Sequence, residues 1–555
     1  MLTAVRSELY LQPSTLAKRV PSLLLLAVTA FFFYGLGRFP LVGPDEPRYA
    51  QVAREMFLRG DLITPTLGGH AWFEKPVLLY WFMMVSYKLF GVTEFAARLG
   101  PALSGVLTVF AVYWAAQKVE VASRDEGLKN FGTWSGIVSA TTLGLIVFSH
   151  AASFDILVTM TTTWALAFFF AAELETRKRR RVLFLSAFYA LVGVSLLAKG
   201  LVGLLPIGVV GSFFLLRRKM PPRHVLFSII WGLPLALGVA AVWFGPVIAH
   251  HGKLFIREFI IQHHFARYLT NKYHHPQPFL FYPVILVPMT LPWTPFFLNA
   301  LSSLRSWHWR SDDPLNKLRV LSLVWMLLPL VTFSFSASKL PGYIVPVLPA
   351  IALLSGERLT RFVSTGETGH VAMRAAALLC ILFAAGALFY ARLSGALSQS
   401  CSVAIVLPLA IAGLIAGLWP RFRATAAVLI AASTVLASLL LLNCGIDKIA
   451  QRDSVARLIR LADERGYSNL RVGALHTIDR TAQFYASGRL LYGPDREPAK
   501  LESSAEVLAA ARENNGAVLI LAPLGYVNQL TSLNSVTADV IGDNGTMAIV
   551  AVSVN

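Results

Sequence analysis

Two adjacent carboxylates stand between prolines in the segment Gly43-Pro44-Asp45-Glu46-Pro47-Arg48-Tyr49. A proline and an acid are typical of the first turn of a helix, and one acid would be enough for that role. The second acid, next to a cation and a tyrosine, indicates a polar site in which carboxylates act as general bases or stabilise charge. We therefore predict that Asp45 and Glu46 are catalytic residues.

Single acids and cations also stand at the ends of several apolar runs. Each has a plain interpretation, as a helix cap for an acid or as a snorkelling side chain for a lysine. A lysine at that depth also suits a lipid phosphate, and acids and cations that converge from several turns predict a polar cavity for an anionic lipid head group. The residues are Glu74 and Lys75 in segment 72–81, Asp155 in 150–155, Lys199 in 198–200, and Lys339 and Tyr343 in 336–343.

Histidines are concentrated in one long segment between two apolar runs. Imidazoles are common ligands of divalent metals, but no spacing in this segment is diagnostic of a metal site. A divalent metal (Zn, Mg or Mn) is one interpretation of the segment, and an ordinary polar loop is the other. The six histidines are His250, His251, His263, His264, His274 and His275.

Long apolar runs must position these segments. The chain of 555 residues is 55% hydrophobic and only 14% charged, whereas about a quarter of the residues in a soluble protein are charged. Runs of about 17 to 25 apolar residues can cross a bilayer as helices. We predict an α-helical polytopic membrane protein with about 13 transmembrane helices, at residues 20–38, 97–117, 133–150, 157–175, 182–198, 201–216, 225–249, 279–298, 318–336, 342–358, 374–392, 403–418 and 424–442. Residues 76–92 are predicted to form an interfacial helix.

Charge separates the loops between these spans into two classes. Arginine and lysine clusters such as 177–181 occupy every second loop, and such clusters favour the cytoplasmic side. The N-terminus is therefore predicted to be cytoplasmic, and the acidic and histidine-rich loops, including 39–96 and 250–278, to lie on the outer side. Most of the net charge of +19 belongs to the basic loops, which argues against nucleic acid as a partner.

The pattern changes after residue 445. Residues 446–555 are more charged, and we predict that they form a small soluble α/β domain behind a membrane domain at 1–445. Helices are predicted at 455–465 and 505–514, and strands at 469–475, 517–522 and 547–554. Cys401 and Cys444 are predicted to lie at the same membrane face, where a disulfide is geometrically possible, but we expect two separate buried thiols.

Four segments resemble motifs of the GT-C membrane glycosyltransferases, and in particular of the lipid A aminoarabinose transferase family, which is related to the protein O-mannosyltransferases. The resemblance covers the chain to residue 445 and implies a GT-C fold. It also implies an undecaprenyl-phosphate-linked sugar donor, no nucleotide cofactor, and an active site on the periplasmic side of the bacterial inner membrane. The segments are Asp45-Glu46, Phe73-Glu74-Lys75-Pro76, Ala198-Lys199-Gly200 and Ser338-Lys339-Leu340-Pro341-Gly342-Tyr343.

The resemblance implies transfer of 4-amino-4-deoxy-L-arabinose from undecaprenyl phosphate to a phosphate of lipid A. Adding an amine there would lower the negative surface charge and weaken the binding of cationic peptides such as polymyxin. The implied roles are catalysis near the sugar for Asp45, Asp155 and Glu46, sugar or acceptor binding for Arg48 and Tyr49, lipid-phosphate binding for Lys75, Arg267, Tyr343, Lys199 and Lys339, and divalent-metal binding for Glu74 with His263 or His264.

Two other interpretations of the sequence stay open. Another GT-C enzyme could use a polyprenyl-phosphate sugar to modify a glycan, a different lipid or a protein, and the motifs do not separate it from a lipid A transferase. A secondary transporter would also have many spans, but it usually places ionisable residues at mid-membrane and contains repeats. Here the acids lie at one face and no repeat is evident.

Overall fold

The computed structural model describes residues 15–123, 125–269, 277–366, 368–395, 397–494, 496–532 and 536–554; within them, the side chains of 15–21, 264, 267 and 536 are outside the description. The first ten α-helices, α1–α10, are Thr15–Phe31, Asp45–Arg59, Leu78–Phe90, Glu94–Ala122, Phe131–Ala140, Leu143–Ser149, Phe154–Leu174, Lys178–Lys199, Leu205–Arg217 and Arg223–Phe255. The next eight, α11–α18, are Arg267–Leu269, Phe281–Met289, Thr294–Ser302, Pro314–Ser334, Leu348–Ser364, His370–Ser394, Gln399–Leu418 and Arg423–Leu440.

The helices form a membrane bundle. Among the described residues, nine helical stretches are long and apolar enough to cross a bilayer, and a tenth is obtained when the bent pair 126–140 and 143–149 is counted as one span. The prediction of an α-helical polytopic membrane protein is confirmed. The predicted interfacial helix at 76–92 is present as the shorter apolar helix α3.

Several predicted spans differ from the observed helices. Residues 279–298 form two short helices, α12 and α13, because Pro292 and Pro295 lack the amide hydrogen that a continuous helix needs. Residues 133–150 are divided between α5 and α6, which belong to a pair bent by 62°. Helix α1 ends at Phe31, before the predicted residue 38.

Residues 178–217 form one continuous helical stretch of 40 residues, which consists of two helices, as predicted. Gly200 has a φ of 59°, which favours glycine, and there the chain leaves α8. Gly203 then packs so closely against the backbone of Ser195 and Leu196 that a Cβ would lie 2.3 Å from an amide nitrogen. The chain therefore folds back on itself just after Lys199.

The first turn of α2 is fixed by a buried ion pair. Arg98 of α4 donates to both oxygens of Glu46, at 3.0 and 2.8 Å, and its own side chain is fully buried. The Glu46 carboxylate also accepts hydrogen bonds from the backbone amides of Val42 and Ala152. Because these contacts are all structural, we assign Glu46 a positioning role in place of the predicted catalytic one.

Glu46→Gln is expected to lower the free energy of unfolding by about 3 kcal/mol, because it leaves the Arg98 guanidinium buried without a carboxylate. Thermal unfolding of the purified protein in detergent measures this loss. The neighbouring change Asp45→Asn is the control, since the Asp45 side chain is 53% exposed. An unchanged unfolding midpoint for Glu46→Gln would contradict the structural role.

The C-terminal residues form a five-stranded sheet in the order β4-β3-β5-β7-β6. Strand β3 is parallel to β4 and β5, and β7 is antiparallel to β5 and β6. The strands β3–β7 are Val472–Leu475, Lys500–Leu501, Ala517–Pro523, Val536–Asp543 and Met547–Val554, after a short hairpin of β1 (Thr66–Leu67) and β2 (His70–Ala71). The helices α19–α23 are Ile446–Arg452, Ala456–Glu464, Ala482–Tyr485, Ser504–Glu513 and Asn528–Thr531. The predicted soluble α/β fold is therefore confirmed, with β4 and β6 in addition to the predicted strands.

Helix α21 of this C-terminal part docks on the segment that carries Asp45. The Tyr485 hydroxyl donates to Glu94 at 2.9 Å and accepts from the Leu41 amide at 2.7 Å. Gln51 of α2 donates to the Ser487 hydroxyl at 2.8 Å. The sheet is thus attached to the loop and helix that begin the candidate site. The domain boundary at residue 445 stays a prediction.

Cys401 and Cys444 form a disulfide between the start of α17 and the end of the α18 segment. The expectation of two separate thiols was therefore wrong. The chain reverses once between the two cysteines, which are 43 residues apart, because it runs along α17 and returns along α18, and so both lie at the same end of the bundle. Only the shared membrane face, not the close approach, could be deduced from the sequence.

Reduction of this disulfide is expected to lower the free energy of unfolding by about 2 kcal/mol, the low end of the usual range because membrane insertion already restricts both helices. The measurement compares thermal unfolding with and without dithiothreitol. The double variant Cys401→Ala/Cys444→Ala should not respond to the reductant. If the parent protein also failed to respond, the bond would have no stabilising role.

Candidate active site

A cavity of about 590 Å³ lies where several loops meet the membrane helices. One end is polar and is lined by Glu74, Lys75, Lys199, His263 and Tyr343. The remaining wall is mainly apolar and follows α9 and α14 into the bundle. It consists of Pro76, Leu201, Val202, Leu205, Phe265, Tyr268, Leu269, Leu328, Pro329, Thr332, Phe333 and Ser336. A cavity of this kind can hold an anionic head and part of a long apolar chain.

Asp155, Lys199 and Tyr343 meet at the polar end, although they come from three distant segments. The Lys199 ammonium pairs with the Asp155 carboxylate and lies 4.9 Å from the centre of the Tyr343 ring. The Ser153 hydroxyl donates to the second carboxylate oxygen of Asp155 at 3.2 Å. Three of the predicted site residues are therefore brought together.

Gly342 gives Asp155 the space for this arrangement, because a Cβ at Gly342 would lie 1.9 Å from an Asp155 oxygen. We expect Gly342→Ala to displace the carboxylate and to lower the activity about 100-fold, the usual effect of a displacement near 1 Å in a catalytic site. The assay compares the activity of this variant with that of Gly386→Ala, whose new Cβ meets open space. If Gly342→Ala and Gly386→Ala were equally active, the activity would not require the space that Gly342 leaves for Asp155.

A row of alternating charges leads from the first loop to the cavity. The Glu74 carboxylate lies 3.3 Å from a nitrogen of Arg48 and 3.3 Å from the Lys75 ammonium. Arg48 also lies 3.9 Å from Asp45 and 5.4 Å from the centre of the Trp72 ring. Burial alone would lower the pKa of Arg48, but the acidic groups around it, Glu74 first among them, together outweigh burial, and the pKa is raised. Arg48 therefore remains a cation that links Asp45 to the cavity.

Two further predicted site residues are buried in structural contacts. The Tyr49 side chain is 5% exposed, and its ring packs edge-on against Phe154 with 4.9 Å between ring centres. Its burial raises its pKa, so the hydroxyl stays neutral. Lys339 donates to the backbone carbonyls of Ser336 and Gln277 at 2.7 and 3.0 Å. We assign both side chains to holding the loops in place, instead of the predicted contacts with ligands.

The described residues do not fit a divalent metal well. The Glu74 carboxylate already faces two cations, which oppose a divalent ion electrostatically. Among the described side chains no group of three or more His, Cys, Asp or Glu residues could hold a metal ion. His263 lines the cavity, whereas His274, His275 and the side chains of His264 and Arg267 lie outside the described part. We therefore derive no catalytic step from a metal.

The apolar wall of the cavity was not predicted from the sequence. Its leucines, valine and phenylalanines are the same residue types that face lipid elsewhere, so nothing in their identity marks them. Tyr268 was also missed: its hydroxyl donates to the Thr332 carbonyl at 2.8 Å, and its own carbonyl accepts from the Ala337 amide at 2.9 Å. The feature of the sequence that could have indicated a role for Tyr268 was its position in a polar, histidine-rich loop.

Comparisons with known proteins bear on the whole chain. Residues 21–229 match the family described as dolichyl-phosphate-mannose-protein mannosyltransferase. A Pseudomonas fluorescens protein named undecaprenyl phosphate-alpha-4-amino-4-deoxy-L-arabinose arabinosyl transferase 2 is 30% identical over 62% of this chain, but the match spans only 57% of that relative. The crystal structure of ArnT from Cupriavidus metallidurans bound to undecaprenyl phosphate matches with a TM-score of 0.76 at 23% identity. It covers 96% of this chain and 98% of that one, so the fold is shared along the whole length.

A relative from Pseudomonas aeruginosa is named undecaprenyl phosphate-alpha-4-amino-4-deoxy-L-arabinose arabinosyl transferase. It is 32% identical to this chain over 430 residues, which are 75% of each protein. Identity at this level over so much of both proteins establishes common descent, and the resemblance seen in the four motif segments is confirmed. This chain belongs to the family of undecaprenyl phosphate-aminoarabinose arabinosyl transferases, which are membrane glycosyltransferases.

Proposed function

We propose that this protein transfers 4-amino-4-deoxy-L-arabinose from undecaprenyl phosphate to a phosphate of lipid A. The observation that carries the proposal is the cavity, in which Lys75 and Lys199 lie at one end of a long apolar wall. A phosphate that carries a sugar fits the cationic end, and the first part of a polyprenyl chain fits the wall. The named relatives support the choice of sugar and carrier.

In this reaction an oxygen of the acceptor phosphate attacks the anomeric carbon of the sugar, and the bond from that carbon to the donor phosphate breaks. Negative charge grows on the leaving undecaprenyl phosphate, where Lys75 and Lys199 stabilise it. The acceptor phosphate is already anionic and needs no general base, whereas a hydroxyl acceptor would need one. Asp45 and Asp155 therefore orient the sugar or its ammonium group.

The proposed active site faces the periplasm. Helix α8 has 22 residues, begins at Lys178 inside the basic run 177–181 and ends at Lys199 in the cavity. A helix of that length spans about 33 Å, close to the thickness of the hydrocarbon core. The basic run and the cavity thus lie at opposite ends of a membrane-crossing helix, and basic loops favour the cytoplasm.

The test is mass spectrometry of lipid A from a host that makes the aminoarabinose donor lipid but lacks its own transferase. The intact chain should add a mass the size of a pentosamine, and the Asp45→Asn form should not. If correctly inserted protein left lipid A unchanged, the proposal would give way to a GT-C enzyme with another sugar or acceptor. A metal at Glu74 with His263 or His264 stays a prediction, and the same assay on EDTA-treated membranes checks it.

A further inference from the structure

A second polar cavity, of about 510 Å³, lies between the membrane helices and the C-terminal sheet. Lys448, Arg452 and Arg457 line it together with a single acid, Asp543. The Asp543 carboxylate accepts from the backbone amide of Gly545 at 3.0 Å, which holds it in the turn between β6 and β7. None of the three cations forms an ion pair with a carboxylate of the described residues. The cavity therefore has an excess of exposed positive charge.

This basic cavity lies at the same end of the bundle as the active site. Ser398, which caps α17, contributes to its lining. Asn443, just before the disulfide, accepts hydrogen bonds from Tyr34 and Arg38, which follow α1 and lead to the loop of Asp45. The basic cavity thus lies at the active-site end of the bundle, where it can reach the lipid head groups, whereas the basic loops between the spans are predicted to lie at the opposite end.

A narrow apolar groove of about 120 Å³ lies between α16, α17 and α18. Its walls include Leu379, Phe383, Ile405, Leu409, Ala437 and Leu441. Nine of its twelve lining residues belong to helical stretches that are long and apolar enough to cross a membrane, and Leu143, Leu291 and Pro292 complete the lining, so the groove lies at the depth of the lipid chains. A groove of this volume can hold part of one acyl chain.

The basic cavity and the apolar groove adjoin each other at Gly445. A Cβ at Gly445 would lie 3.2 Å from Leu397 of the cavity, and 2.9 and 3.7 Å from Leu441 and Ile405 of the groove. The disulfide between Cys401 and Cys444 ties the two walls together beside this point. The cavity and the groove are thus close enough for one amphiphile to reach both, with its head in the cavity and its chain along the groove.

We propose that the cavity and the groove form a binding site for an anionic glycerophospholipid, separate from the donor cavity. The lipid phosphate is held by Lys448, Arg452 and Arg457, and one acyl chain lies between α16, α17 and α18. Basic residues at a membrane surface attract anionic lipids. The width of the groove favours a lipid that inserts one chain over lipid A, which has several.

Native mass spectrometry of the full-length protein in detergent tests the head-group part. The probes are palmitoyl-oleoyl-phosphatidylglycerol and the matching phosphatidylcholine. We expect K448Q/R452Q/R457Q to lower the affinity for phosphatidylglycerol about tenfold and to leave that for phosphatidylcholine unchanged. The control R460Q/R465Q/R512Q removes the same charge from elsewhere on the C-terminal part and should bind like the parent.

The apolar part is tested with Ala437→Phe, which fills the groove and should also weaken phosphatidylglycerol binding. Its control is Ala385→Phe, at an exposed position of α16. If the triple variant kept the affinity of the parent for phosphatidylglycerol, the proposal would be overturned. It would also be overturned if the triple variant lost only the binding of added lipid A, because the site would then belong to the acceptor.

Discussion

Asp45→Asn is expected to lower sugar transfer by at least about 100-fold, as loss of a charge that acts on the transition state does, and to leave the protein as stable as the parent. The Asp45 side chain is 53% exposed, and the one ion pair that it forms among the described residues, with Arg48, spans 3.9 Å. The fold therefore depends little on this carboxylate. A sugar or its ammonium group, by contrast, would lose a charged partner.

The experiment measures transfer and thermal unfolding on the same preparation. Glu46→Gln is the matched comparison, because this neighbouring acid is buried against Arg98 and should lose stability. The Asp45→Asn protein should thus be inactive but stable, whereas the Glu46→Gln protein should be destabilised. Near-normal sugar transfer by well-folded Asp45→Asn protein would contradict a catalytic role for Asp45.

Lys75→Ala is expected to weaken binding of undecaprenyl phosphate about 100-fold, because a phosphate would lose a cation in a partly enclosed, apolar site. The Lys75 side chain is 14% exposed and lines the cavity next to Glu74. Removing its charge leaves Glu74 paired with Arg48, so the local structure should survive.

The measurement is the affinity of the purified protein for undecaprenyl phosphate. Lys88→Ala is the control, because Lys88 lies in the last turn of helix α3, which follows Lys75, and is exposed away from the cavity. Only the Lys75 variant should lose affinity. If both variants bound the lipid like the parent, Lys75 would have no part in holding the phosphate.

The membrane fold and the location of the site could be predicted because both depend on simple patterns. Long apolar runs determine the helices, and the alternation of loops determines which polar segments share one end of the bundle. Asp155, Lys199 and Tyr343 come together for this reason, despite their separation in sequence. One exception, the broken helix at 279–298, occurs where prolines interrupt an apolar run.

The role of each acid could not be predicted, because it depends on a partner that is distant in the chain. Asp45 and Glu46 look equivalent in sequence, and only the packing of Arg98, 52 residues away, separates them. The same holds for Lys339, whose carbonyl partners are supplied by loop folding. The apolar wall of the cavity was hidden because its residue types are those of any membrane helix.

The bond between Cys401 and Cys444 has a consequence for biogenesis. It can close only after the end of α18 has emerged on the same side as the start of α17, so it forms late in insertion. Disulfides persist in the bacterial periplasm and are rare in the cytosol. If Cys401 and Cys444 are found oxidised in cells, both have reached the periplasm. That observation would establish the sidedness of the protein independently of the charge of its loops.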